Sequence, residues 1–182
     1  MRDMFAILEL LAVHPQKDFG ERLAIVTNAV GAEALATDHS EANHLLLESP
    51  HPETLVELQQ VLPAEAGLTN PIDIIGDAKA DRYRSALEVL DKDENVDQIL
   101  VLLTPQRTTE IVETAQIITD FSAKSDKNIV ASFIGGKRVQ DGITHLESHK
   151  VPHFDFPADG LKVMGLLSQY QKFQVNRNTK QS

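Results

Sequence analysis

The residues Thr27-Asn28-Ala29-Val30-Gly31 follow an apolar run, Leu23–Val26, and precede a stretch of helix-forming composition. A helix that starts directly after a strand presents free backbone amides, and a glycine there lets a ligand approach closely. That chemistry suits an anion such as a phosphate group. An ordinary strand-to-helix turn favours the same residues, so this segment alone leaves both readings open. It contains neither the Gly-Lys-Ser/Thr of a Walker A loop nor the three spaced glycines of a dinucleotide fingerprint. Three more polar stretches close apolar runs in the same way: Asn70 to Asp77 (with Asn70, Asp73, Gly76 and Asp77), Thr104-Pro105-Gln106, and Gly135-Gly136. Each has the composition of a common turn; together they would form one polar rim.

Asp73 and Asp77 invite a metal, but no second carboxylate cluster or histidine spacing supports one, so no metal site is expected. A phosphorylated receiver domain needs an acidic pair after its first strand and a lysine near its last. Thr27-Asn28 and Gly135-Gly136 stand in those places. His145 and His149 have the i, i+4 spacing of helix-borne ligands. Glu147 between them does not reproduce the His-Glu-x-x-His order, and a surface pair is expected. There is no Gly-x-Ser-x-Gly elbow and no serine beside an obvious base, so no catalytic residue is assigned.

These turns have to be held by elements that the apolar periodicity delineates. Short runs at Leu23–Val26, Leu45–Leu47, Ile72–Ile75, Val96–Leu103 and Ile129–Ile134 alternate with longer amphipathic stretches at Gly31–Thr37, Glu53–Leu62, Ala80–Leu90, Thr108–Ala123 and, more weakly, Val139–Ser148. Asp77 is placed to N-cap the Ala80–Leu90 helix, whose Tyr83, Leu87 and Leu90 share a face. Val151–Phe156 reads as a last extended piece and Asp159–Phe173 as a closing helix. Such alternation implies parallel pairing with right-handed crossovers. The expected fold is therefore α/β, a flavodoxin-like three-layer αβα sandwich around a mostly parallel sheet of about five strands. The domain is expected over residues 1–173, with residues 174–182 a polar tail. Met4, Ile7, Leu8 and Leu11 mark an amphipathic helix over residues 1–14 that packs on something, a partner domain included.

A chain of 182 residues is about one domain and large enough to bury its core without staples. Its net charge of −10 argues against nucleic acid, which requires clustered cations. The absence of cysteine excludes disulfides, thiolate metal sites and cysteine nucleophiles. Apolar runs such as Ile99–Leu103 fall far short of the ~20 residues that span a bilayer, and the N-terminus lacks a cleavage site. No membrane contact is expected, and the expected setting is cytoplasmic.

The ordered set Arg22-Leu23-Ala24-Ile25-Val26-Thr27-Asn28-Ala29, Asn70-Pro71-Ile72-Asp73, Gly76-Asp77-Ala78, Tyr83 with Ala86-Leu87, Val96-Asp97, Thr104-Pro105-Gln106 and Gly135-Gly136 resembles the NDP-forming, usually ADP-forming, acyl-CoA synthetases. It resembles their ligase-CoA domain in particular, the flavodoxin-like module equivalent to the C-terminal domain of the succinyl-CoA synthetase β subunit. The resemblance implies a reaction in which acyl-CoA, ADP and phosphate give the acid, CoA and ATP through an acyl phosphate and a phosphohistidine. It implies partners too: the CoA-binding, phosphohistidine and ATP-grasp domains of the same enzyme, with a homo-oligomer compatible. ATP/ADP, CoA and Mg belong to that complete enzyme, no cofactor is expected on this domain alone, and no activity either. The implied role is to aim the helix after Asn28 at the phosphohistidine. This sequence departs from the family at Val30-Gly31-Ala32-Glu33, where Gly-Gly-Pro-Gly is usual. Val30 adds bulk, and Glu33 puts a carboxylate where phosphate would lie. A degenerate regulatory module of a protein acetyltransferase is the alternative that this departure suggests. An unrelated flavodoxin-like binding domain is a third reading, but no aromatic pair is placed to sandwich a flavin.

Overall fold

The computed structural model describes residue 17 and residues 19–179; the helix expected over residues 1–14 lies outside them. Five strands, β1 (Leu23–Thr27), β2 (Ile72–Asp73), β3 (Gln98–Leu103), β4 (Asn128–Phe133) and β5 (His153–Phe154), form one sheet in the order β2-β1-β3-β4-β5. Every pairing is parallel. This is the flavodoxin-like order, and its strand order reverses between β1 and β3. Among the described residues six α-helices accompany the strands, five between them and one after β5: α1 (Val30–Ala42), α2 (Pro52–Val61), α3 (Ala80–Leu90), α4 (Ile111–Lys124), α5 (Gln140–Ser148) and α6 (Pro157–Thr179). None of the described helices is long and apolar enough to cross a membrane.

The three central strands are buried along their whole length because helices cover both faces. That is why they read as continuous apolar runs rather than alternating ones. On one face Ala24, Val26, Ile99, Val101, Ile129 and Phe133 pack with Tyr83, Leu87, Ala115 and Ile118 of α3 and α4. On the other, Leu23, Ile25, Leu100, Leu102 and Val130 meet Ala32, Ala36, Leu161 and Met164 of α1 and α6.

Several expectations are corrected. Leu45–Leu47 makes only a single bridge, Leu46 to Arg22. Asp77 does not cap α3: it pairs with Arg82 at 2.5 Å, while the Ala80 amide donates to Glu110 Oε2 at 3.2 Å from the next loop. The closing helix does not stop at Phe173 but runs to Thr179, so residues 174–179 are helical rather than a structureless tail. No glycine or proline in 174–179 breaks it, and Gln174 reaches back to the Tyr170 hydroxyl at 2.7 Å.

The amino ends of β1 and β3 are tied by charge. Asp97 accepts hydrogen bonds from the Arg22 amide at 2.9 Å and from its Nε at 3.0 Å, and also pairs with Nη2. Burial alone would raise the Asp97 pKa, but the Arg22 bonds and charge, helped by Lys127, hold it below the ordinary carboxylate value. A carboxylate depressed in the folded state stabilises above the unfolded pKa of ~3.9, and that contribution is lost as pH falls through the folded value. Asp97→Ala is expected to cost roughly 1.5–3 kcal/mol at pH 7, the range for bonds to charged groups. Denaturant titrations should show the gap between variant and wild type shrinking below about pH 4.

Candidate functional site

The carboxyl end of the sheet brings the loops after β1, β2, β3 and β4 together. Thr27 ends β1, and its Oγ1 accepts the Ala29 amide at 3.1 Å. Ala29 is extended at the N-cap of α1 and offers no side-chain cap. Its carbonyl accepts the amides of Ala32 and Glu33, each at 3.1 Å. The amides of Val30 and Gly31, in the first turn, have no intrahelical acceptor, and the positive end of the helix dipole lies with them. A Cβ built on Gly31 would touch nothing within 4 Å, so this corner is open.

Asn28 is the clamp of the site. It is buried, and its Oδ1 accepts from Thr104 N at 2.9 Å and Thr104 Oγ1 at 3.2 Å, while its Nδ2 donates to Thr104 O at 2.9 Å. Its polar atoms are thus committed to the protein rather than free for a ligand. Gln106 Nε2 donates to Thr104 Oγ1 at 3.1 Å and carries the network onward. Gly76 lies against both loops: a Cβ there would sit 3.7 Å from the Asn28 carbonyl and 3.9 Å from Gln106 Cγ. Gly135 is required by contact, since a Cβ would lie 2.6 Å from Pro105 Cγ. Gly136, at φ +55°, turns the chain in the left-handed region.

The structure therefore brings Thr27–Gly31, Asp73, Gly76, Thr104, Gln106 and Gly135 to one rim, with Gly136 next along. Asp73 Oδ1 caps the following turn by accepting the Ile75 amide at 2.9 Å. Asp77 is turned out toward Arg82. Asn70 is not brought to this rim. Its Nδ2 donates to Leu23 O at 2.6 Å and Glu48 O at 3.0 Å, and its Oδ1 accepts the Ile25 amide at 3.0 Å. It continues the ladder of β1 where the two-residue β2 has not yet begun.

The electrostatics are mixed. Burial, and then the charge of Asp73, push the Glu33 carboxyl above its ordinary pKa. Two carboxylates thus stand beside the open amides. Tyr83 is fully buried and donates to the Leu102 carbonyl at 3.0 Å. Burial first, and Asp73 second, raise its pKa far beyond physiological range, so it braces the end of β3 and does not exchange protons. Tyr83 and Glu110 are the contributors that site reasoning from the sequence passed over. The available signal was a phenol on an apolar helix face, whose hydroxyl needs a buried partner. His145 and His149 stack on the surface of α5, ring centroids 4.2 Å apart. Desolvation and the neighbouring His149 lower the His145 pKa. Among the described residues no group of three or more His, Cys, Asp or Glu is arranged to hold a metal ion.

Residues 23–179 match the sequence model of the Ligase-CoA domain. The chain belongs to that family. Its curated relatives include an acetate–CoA ligase [ADP-forming] I of Archaeoglobus fulgidus, 33% identical over 87% of this chain and 22% of that protein. Another, an acetate–CoA ligase [ADP-forming] of Methanocaldococcus jannaschii, is 33% identical over 97% of this chain and 25% of its own length. A solved structure of a dinucleotide-forming acetyl-coenzyme A synthetase 1 from Ca. Korarchaeum cryptofilum, in complex with phosphate and ADP, superposes with a TM-score of 0.83. It is 29% identical and covers 94% of this chain and 37% of that one. The chain thus spans about a quarter of the length of these curated relatives.

Within this ligase-CoA domain the Asn28–Thr104 clamp sets where α1 begins. Asn28→Ala is expected to cost about 1–3 kcal/mol, since it leaves the Thr104 groups without partners. Hydrogen exchange should quicken at the amides of residues 29–33 while the β3 and β4 amides stay protected.

Proposed function

We propose that this ligase-CoA domain serves an ADP-forming acyl-CoA ligase, acetate–CoA ligase being the nearest reaction, by presenting the N-terminus of α1 to a phosphoryl group in transit. The observation that carries this reading is the open first turn at Val30 and Gly31, fixed from behind by Asn28 and Thr104. Preorganised amides that need not reorient stabilise charge as it moves between donor and acceptor. The two relatives from Archaeoglobus fulgidus and Methanocaldococcus jannaschii, acetate–CoA ligases of about four times this length, support it.

The phosphoryl carrier, a phosphohistidine, belongs on another domain, as do the CoA and nucleotide sites, with Mg accompanying the nucleotide. A cytoplasmic setting goes with this reading. Glu33 and Asp73 oppose an incoming phosphoryl anion, so Glu33 sets how readily the helix end receives it. The same two carboxylates are what favour a second reading, a regulatory module that has given up phosphoryl transfer.

The 182-residue chain alone should form no ATP from acetyl-CoA, ADP and phosphate. When it is combined with an ADP-forming acetate–CoA ligase from which the ligase-CoA domain has been removed, coupled-assay turnover should return. Glu33→Gln should raise that turnover about three- to tenfold, by removing a like charge several ångströms from the phosphoryl position. Robust turnover by the chain alone would overturn the proposal. Failure to complement with either Glu or Gln at position 33 would favour the regulatory reading.

A further inference from the structure

The apolar residues of α6 fall into two sets. Leu161, Val163, Met164 and Leu167 are buried, whereas Leu166, Tyr170 and Phe173 are 37%, 47% and 62% exposed. Val163, Leu166, Tyr170 and Phe173 are spaced by three, four and three residues, which aligns them as one seam along the helix. The first position of that seam is already covered. Phe19 packs with Val163 and Leu167, and its amide donates to Gln171 Oε1 at 2.6 Å. Just before it, Lys17 Nζ donates to the carbonyls of Ser122 at 2.6 Å and Lys127 at 3.1 Å. Phe19 thus occupies the Val163–Leu167–Gln171 strip of α6, which adjoins the uncovered part of the seam, and the chain leads into it past the Ser122 and Lys127 carbonyls.

Residues 1–16 carry the matching pattern. Met4, Ile7, Leu8 and Leu11 repeat at three- and four-residue spacing, the arrangement that interlocks with a like seam on a second helix. Met4 to Leu11 and Leu166 to Phe173 each cover seven steps, ~10 Å of helix. The eight steps from Leu11 to Phe19 reach at most ~29 Å. That is ample to fold back along α6 and short of the far side of a domain ~30–40 Å across. We propose that residues 4–11 pack as a helix on the outer seam of α6, with Met4, Ile7, Leu8 and Leu11 closing over Leu166, Tyr170 and Phe173.

Hydrogen exchange of the full 182-residue chain tests this. The amides of residues 4–11 should exchange at least tenfold more slowly than an unstructured peptide, to the same extent at low and high protein concentration. The double variant Tyr170→Ser/Phe173→Ser should abolish that protection while the β3 and β4 amides keep theirs. The wild-type chain has no cysteine, which allows a second measurement. Leu8→Cys with Tyr170→Cys should form a disulfide within one chain under mild oxidation, whereas Leu8→Cys with Leu35→Cys on α1 should not. Unprotected amides in the wild type, protection that survives the double variant, or protection that grows with concentration would each overturn the proposal. The last would assign the seam to a second copy of the chain.

Discussion

The crevice end of this fold is organised by the burial of one carboxamide, Asn28, against the backbone and hydroxyl of Thr104. Two parallel strands leave the sheet side by side, and their outgoing loops would otherwise diverge. An amide side chain can donate and accept at once, so it stitches the β1 exit to the β3 exit with complementary bonds. Everything at the rim follows from that join. Gly76 lies against the Asn28 carbonyl, Gln106 extends the network, and Gly135 fits under Pro105. The start of α1 is fixed without any side chain of its own capping it. A helix with a side-chain cap would have used its own first-turn amides; this one is held from behind, and they stay open.

Two electrostatic tendencies meet at that position. The dipole of α1 and its unbonded amides favour an anion. Glu33 and Asp73 disfavour one, and burial, then the charge of Asp73, lifts the Glu33 pKa. A carboxylate in a first helical turn is stabilising for the helix itself. The same residue that suits the local fold therefore opposes an anion at the helix end.

Much of this was legible in the sequence because buried parallel strands declare themselves as unbroken apolar runs. Leu23–Val26 and Ile99–Leu103, with Ile129–Ile134 interrupted only at Ser132, left little choice of fold, and the turns that follow them marked the rim. Asn70 was misplaced because composition cannot tell a polar residue that ends a strand from one whose side chain substitutes for a missing stretch of ladder. Asp77 was misassigned because a capping residue next in sequence competes with one from another loop, and Glu110 reaches Ala80 from thirty residues away. Residues 174–182 read as a polar tail because they carry no apolar period; α6 nevertheless continues to Thr179, since no glycine or proline ends it and Gln174 holds the Tyr170 hydroxyl one turn back. The Tyr83 brace required knowing that its hydroxyl reaches the Leu102 carbonyl, which only the assembled layers reveal.

The ion pair of Arg22 with Asp97, and the half-buried Lys127 beside it, lie at the opposite end of the strands from the rim. The anchoring charges and the open start of α1 are thereby allotted to different loops, with the apolar sheet as an insulator between them. Substitutions can accumulate at positions 30 and 33 without touching the anchoring charges. In this architecture a lineage can rebuild the corner at the start of α1 and still inherit an intact scaffold.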